Sequence, residues 1–144
     1  MDRKQYQEMW NSYRQEREKV QQDPWRLQYH LMPDSGWVND PNGLCQFQGV
    51  YHVYYQYSPF DVLGKTKLWG HYTSKDLIHW KQDEAVLFPD HPSDCHGVYS
   101  GSAFIEKGKI HYFYTGNVKL VGDYDYINEG REQNTIYVSS EDGY

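Results

Sequence analysis

Cysteine is nearly missing from this chain: 144 residues hold two, Cys45 and Cys95. One bridge is the most they could make, which is no disulfide framework, and the absence of any Asn-x-Ser/Thr sequon agrees with a reducing compartment. Long apolar runs are missing too. No stretch reaches the roughly 20 residues that span a bilayer, and the first residues are polar and charged, without the hydrophobic segment of a secretory signal. A cytoplasmic protein without a membrane partner is the expectation. Positive charge is short as well, with 14 Lys and Arg against 20 Asp and Glu for a net charge of −6. The acids are spread along the chain and leave no basic stripe to track a nucleic acid, so no nucleic-acid partner is expected. His91, Asp94, Cys95 and His96 lie close in sequence, but their spacing matches no closed zinc set and no second Cys/His cluster exists. Neither a metal nor a cofactor is expected.

What the chain has in excess is tyrosine: 15, beside five tryptophans. Aromatics at that level suit a sheet-rich fold, and also a sugar site, where amphipathic rings stack on sugar faces. An internal repeat gives the sheets a plan. Gly49-Val50-Tyr51-His52-Val53-Tyr54-Tyr55 matches Gly108-Lys109-Ile110-His111-Tyr112-Phe113-Tyr114 in its Gly, His and last Tyr. Leu44-Cys45-Gln46-Phe47-Gln48 and Ala103-Phe104-Ile105-Glu106-Lys107 precede the two glycines, so each unit reads as strand, tight turn, strand. Tyr72-Thr73-Ser74-Lys75-Asp76 against Tyr137-Val138-Ser139-Ser140-Glu141-Asp142 supplies a third strand to each. A short fourth strand around Ile78-His79-Trp80 would close the first unit, and the second lacks one. Units of this size are propeller blades, the first about 43–82 and the second, incomplete, about 98–144. Two blades alone leave an inter-blade face open at each end, and poor solubility or stability in isolation is expected. His52 and His111 share a repeat position and read as structural.

Before the blades, residues 1–28 form a helix and lead-in. Tyr6, Trp10, Tyr13 and Val20 recur at helical spacing, Asp2 with Gln5 resembles a capping box, and the helix is expected to end near Asp23-Pro24. Trp25 to Met32 then reads as extended into Pro33.

The chemistry centres on Trp37-Val38-Asn39-Asp40-Pro41-Asn42-Gly43. Pro41 biases Asp40 toward an extended conformation, and Pro-Asn-Gly supplies a fixed φ, a tolerant turn residue and a glycine. One carboxylate is thereby mounted on stiff backbone, with Asn39 and Asn42 as flanking amide donors that can keep it ionised. An ordinary Asx-Pro turn would look the same.

That run, led in by Tyr29-His30-Leu31-Met32-Pro33, resembles glycoside hydrolase family 32, the β-fructofuranosidases and sucrose-6-phosphate hydrolases. The resemblance continues in order through Tyr55-Gln56-Tyr57-Ser58-Pro59, Trp69-Gly70-His71-Tyr72-Thr73-Ser74-Lys75-Asp76-Leu77-Ile78-His79-Trp80 and Gly97-Val98-Tyr99-Ser100-Gly101-Ser102-Ala103. It implies an all-β fold, with residues 29–144 giving about two blades of a five-bladed β-propeller after the short N-terminal α-helix. It also implies that Asp40 is the nucleophile of a retaining β-fructosidase, with Trp37, Asn39, Gln56, Tyr99 and Ser100 around a fructose-containing sugar. The family's acid/base Glu, in a Glu-Cys pair, and its Arg-Asp-Pro motif have no counterpart here. The fragment by itself is therefore expected to be inactive. Val38 stands where methionine is usual, and the Gly64 region lacks a tryptophan that many relatives carry. The alternatives are a non-catalytic sugar-binding module and the related arabinan- and xylan-cleaving propeller enzymes; the Asn39–Gly43 run with Gln56 favours fructose.

Overall fold

The computed structural model describes residues 1–144. It opens with two short helices, α1 (Arg3–Ser12) and α2 (Arg14–Gln21). Asp2 caps α1: its carboxylate accepts from the Gln5 amide at 2.8 Å, and the Gln5 side chain accepts from the Asp2 amide at 3.0 Å. The single helix expected to run to Asp23 is interrupted at Tyr13 (φ −85°, ψ 6°). There the Ser12 hydroxyl donates back to the Met9 carbonyl, a local bond that competes with helix continuation. The lead-in is bent rather than extended over Trp25–Met32, because the Arg26 guanidinium donates to the carbonyls of both Met32 and Pro33 and pulls the segment into a loop.

Seven strands follow in two antiparallel sheets. The first has order β1-β2-β3-β4, from Trp37–Phe47, Val50–Ser58, Leu68–Ser74 and Trp80–Leu87. The second has order β5-β6-β7, from Val98–Glu106, Lys109–Lys119 and Arg131–Ser140. The repeated glycine turns are alike in geometry: φ is +48° and +78° at Gln48-Gly49, and +50° and +77° at Lys107-Gly108. Positive φ at both central residues is the two-residue turn whose twist fits a β-hairpin. Ser74 and Ser140 also match, each donating to a carboxylate two residues on, Asp76 or Asp142, and accepting that residue's amide. The strand registers correct one detail. His52 faces Thr73 and His111 faces Ser139, so Tyr72 is equivalent to Val138, and Tyr137 lies one place off. The fourth strand starts only at Trp80, since the Asp76 carboxylate accepts the amides of Ile78 and His79 and holds them in a turn.

The strong hydrophobicity of β2 has a direct cause: it is covered on both faces. Val53, Tyr55 and Tyr57 point to one side, where Tyr6, Leu68, Tyr72, Ala85 and Phe88 complete a core beneath α1. Tyr6 is 1% exposed, its ring 5.3 Å from Phe88 and 5.6 Å from Trp10. The face expected to stand open at this end of the stack is thus roofed by the N-terminal helix. On the other side Tyr54 and Trp69 meet Val98, Ile110, Tyr112 and Tyr114 of the second sheet. Tyr54 donates to the Gly143 carbonyl at 2.9 Å, which leaves Tyr112 to donate to the Tyr54 oxygen at 2.7 Å. The far face of the second sheet is half exposed, with Phe104, Phe113 and Tyr137 between 41% and 52% exposed and His111 stacked between Phe104 and Tyr137.

His52 and His71 lie in the buried seam between the sheets, their ring nitrogens 2.9 Å apart. Such a bond needs one donor and one acceptor, so both rings cannot be charged. Burial first, then the neighbouring His52, pushes His71 down to about 3, and burial lowers His52. The unfolded chain binds protons at these sites below about pH 6.5 while the folded one resists, so stability is full above that pH and falls as pH drops toward 3. A melting temperature that declines from pH 6.5 to pH 5, above the carboxylate range, is the expected result; a flat profile there would contradict it.

Candidate functional site

The candidate site lies where β1 runs beside β5, and an irregularity in β1 builds it. Register shifts between Asn39 and Pro41 and between Asn42 and Cys45 leave Asp40 and the Gly43-Leu44 pair without partners on β2. These are β-bulges on an edge strand, the place where a proline inside a strand is tolerated. Asp40 is not extended as its following proline suggests: its φ is +35°. A residue held in the left-handed region costs on the order of 1–3 kcal/mol. The bulge turns the exposed carboxylate out of the strand, and the Asn42 amide secures the turn by donating to the Asp40 carbonyl at 2.8 Å. Gly43 (φ +57°) is needed beneath it, because a Cβ there would stand 2.8 Å from the Tyr54 ring.

The donor to the Asp40 carboxylate is not a flanking asparagine but a residue of the other sheet. Ser100 Oγ donates to Asp40 Oδ2 at 3.0 Å, and Gln56 Nε2 donates to Ser100 Oγ at 2.8 Å. Gln56 and Ser100, each open to a purely local reading from sequence, instead form a relay across the sheets that ends on the acid. Gln56 is 5% exposed and rigid within β2, and Asn39 pairs with it in register while staying exposed. An open cleft of about 550 Å³ lies over Asp40, lined by residues 40–44 and 100–103. Asp40 is the one acid among its walls.

The aromatic site candidates Trp37 and Tyr99 are not among the residues that line this cleft. Trp37 packs over Gly64, where a Cβ would come within 2.9 Å of the indole, so the tryptophan missing near Gly64 is replaced by a glycine on which Trp37 lies. Trp69, fully buried, donates its indole N–H to the Tyr99 carbonyl at 3.0 Å and so fixes the backbone leading into Ser100. Tyr99 accepts from the Arg131 guanidinium at 3.0 Å. The bond from Trp69 to the Tyr99 carbonyl was not legible from sequence, since only the stacking of the two sheets brings the two residues together. No three His, Cys, Asp or Glu side chains gather in an arrangement that could hold a metal ion, and no helix is long and apolar enough to cross a membrane.

Residues 30–144 match the model of the glycosyl hydrolases family 32 N-terminal domain. The chain is 45% identical over 97 residues to a sucrose-6-phosphate hydrolase of Bacillus subtilis, covering 67% of this chain and 20% of that protein. It thus spans about a fifth of the length of this curated relative. Among solved structures, a variant of the Bombyx mori GH32 β-fructofuranosidase BmSUC1 in complex with sucrose superposes with a TM-score of 0.82 at 27% identity, over 99% of this chain and 29% of that one. The sucrose-6-phosphate hydrolase of Lactobacillus gasseri gives a TM-score of 0.72 at 34% identity, over 85% and 24% of the two chains. The two stacked sheets are neighbouring blades of the propeller these enzymes share. By its family model and by its relatives, this chain belongs to glycosyl hydrolase family 32.

Proposed function

We propose that the chain forms the nucleophile-bearing part of a retaining β-fructosidase acting on sucrose or sucrose 6-phosphate. The observation that carries this reading is the Gln56–Ser100–Asp40 relay at an open cleft. Ser100 holds one carboxylate oxygen and leaves the other free to attack. In the proposed reaction that oxygen bonds to the anomeric carbon of a terminal fructofuranosyl unit as the bond to the leaving sugar breaks, and water later opens the fructosyl ester with net retention. Asn39 and the free acceptor of Gln56 offer hydrogen bonds to fructose hydroxyls, and Trp37 and Tyr99 provide stacking faces. Relatives whose names specify sucrose 6-phosphate, and a neighbour solved with sucrose, support this substrate class.

Retaining hydrolysis needs a second carboxyl about 5 Å from the first, to protonate the leaving oxygen and then activate water. The cleft contains none besides Asp40. General acid catalysis is commonly worth about 10²–10⁴-fold, so the chain alone is expected to hydrolyse sucrose slower than the complete enzyme by at least that factor. The test is a chimera in which residues 30–144 replace the matching segment of the B. subtilis sucrose-6-phosphate hydrolase. Hydrolysis with retained configuration, followed by NMR of the released fructose, supports the proposal. A folded chimera without activity would overturn it.

A further inference from the structure

A second cleft, of about 310 Å³, lies on the face of the first sheet that is turned away from the second sheet, and it shares no lining residue with the cleft over Asp40. Its size is at the small end of the roughly 300–1,000 Å³ of ligand clefts. Tyr72, Trp80 and Gln82 make the floor: Gln82 pairs with Tyr72 in register, and Trp80, two residues before Gln82 on the same strand, points the same way. The lead-in loop closes over them, with Gln28, Tyr29 and His30 in the wall. The loop is fixed in place, because Arg26 donates to the carbonyls of Met32 and Pro33 and the Asp34 amide donates to Gln82 Oε1 at 2.9 Å.

The chemistry of this cleft is aromatic and polar, with no permanent charge left over. Tyr29 is 87% exposed, lies 4.8 Å from the His30 ring and belongs to neither core. Tyr72 is 5% exposed, yet its hydroxyl reaches Gln82 Oε1 only at 3.5 Å, the limit of a hydrogen bond, and that oxygen already accepts the Asp34 amide. A buried hydroxyl bonded so poorly is suited to a partner from outside. With its oxygen taken, Gln82 has its amide nitrogen left to donate. The charged groups are engaged among themselves: Arg26 turns onto backbone carbonyls, and Asp34 pairs with Arg17 at 3.7 Å while accepting from Gln21 at 2.6 Å. An ionic ligand would find no counter-charge here.

We propose that this cleft is a second, non-catalytic binding site for a neutral sugar. A sugar ring presents an apolar C–H face and a rim of hydroxyls, and the cleft offers a match to each. Tyr29 provides the stacking face, and the Tyr72 hydroxyl and the Gln82 and Gln28 amides provide hydrogen-bond partners around it. An apolar side chain in the cleft would leave the Tyr72 hydroxyl as poorly bonded as it is now, whereas a sugar hydroxyl completes it. No carboxyl group that could attack or protonate a glycosidic bond is free in this cleft, so it holds a sugar without cleaving it. That the sugar is a fructose-containing one rests on reading Asp40 as the nucleophile of a fructosidase.

The test is NMR titration of the full 144-residue chain with sucrose. The Trp80 indole N–H, which donates to the Leu77 carbonyl at 3.1 Å, and the Gln82 side-chain amide report on this cleft; the backbone amides of Gly43 and Ser100 report on the other. Saturable shifts of Trp80 and Gln82 are expected, with an affinity that does not change as salt is raised. Tyr29→Ala and Tyr72→Phe should each weaken that affinity by about two- to tenfold, the effect of losing one stacking contact or one hydrogen bond. Ile127→Ala, at an exposed side chain of the β6–β7 loop, should leave it unchanged. Shifts at Gly43 and Ser100 with none at Trp80 and Gln82 overturn the second site and leave the fructosidase reading standing. Binding at Trp80 and Gln82 that survives both substitutions, or that fades with salt, overturns it as well. Shifts at neither cleft of a folded chain overturn both readings.

Discussion

Asp40→Asn in the chimeric enzyme is expected to lower kcat by about 10⁴-fold or more while leaving the melting temperature almost unchanged. The size follows from the role: a nucleophile that forms the covalent intermediate cannot be bypassed, and removing one typically costs that much or more. The preserved fold follows from the backbone. At φ +35° the position demands a residue that tolerates the left-handed region, and asparagine does so at least as well as aspartate. Asparagine also keeps an oxygen to accept from Ser100, so the relay from Gln56 survives in the variant. Sucrose hydrolysis and thermal melting on the same preparation separate the two effects. Wild-type turnover in the variant would remove Asp40 as the nucleophile, and a collapsed melting temperature would mean that the carboxylate's charge, not its reactivity, is what position 40 needs.

The largest stability effect is expected at Trp69. Its side chain is fully buried at the centre of the seam, stacked 5.6 Å from Tyr54 and meeting the edges of Tyr112 and Tyr114 at 6.1 Å and 5.9 Å. Trp69→Ala opens a cavity between two sheets that cannot both close on it, at a cost of about 3–5 kcal/mol. Against the roughly 5–15 kcal/mol that holds an ordinary domain together, this is at least about a fifth of the total. Urea unfolding reads it directly. Trp69→Phe separates packing from position: it keeps most of the bulk but removes the N–H that bonds the Tyr99 carbonyl. About 1 kcal/mol of stability should go, together with sugar affinity, since Tyr99 and Ser100 lose their anchor. A Phe variant that binds sugar normally would show that the indole only fills space.

How much of this was visible beforehand depended on how local the cause is. The capping box at Asp2 and the paired glycine turns are written in residues a few positions apart, and sequence alone could read them; the Ser74/Asp76 turn is as local but lay within the stretch read as a strand. The two-blade plan was visible for the same reason, as one local pattern used twice. Asp40 stood out as a mounted carboxylate, but its conformation did not: the preference that Pro41 imposes was overridden by a bulge set by pairing with β2. The donor to Asp40 was misplaced for a related cause. Neighbours in sequence suggested Asn39 and Asn42, whereas the contact comes from Ser100, 60 residues away on another sheet.

The bulge at position 40 also accounts for the length of the acid. In ordinary strand geometry a glutamate could serve as well as an aspartate, its extra methylene absorbed by a different rotamer. At a positive φ the choice narrows: short polar side chains that can bond to the nearby backbone are tolerated there, and longer ones are penalised. The longer acid of an Asp40→Glu variant would either relax the bulge, pulling its carboxylate away from Ser100, or keep the bulge and overshoot the reacting carbon by the length of one bond. That this position carries an aspartate is thus a requirement of the main chain before it is one of the chemistry.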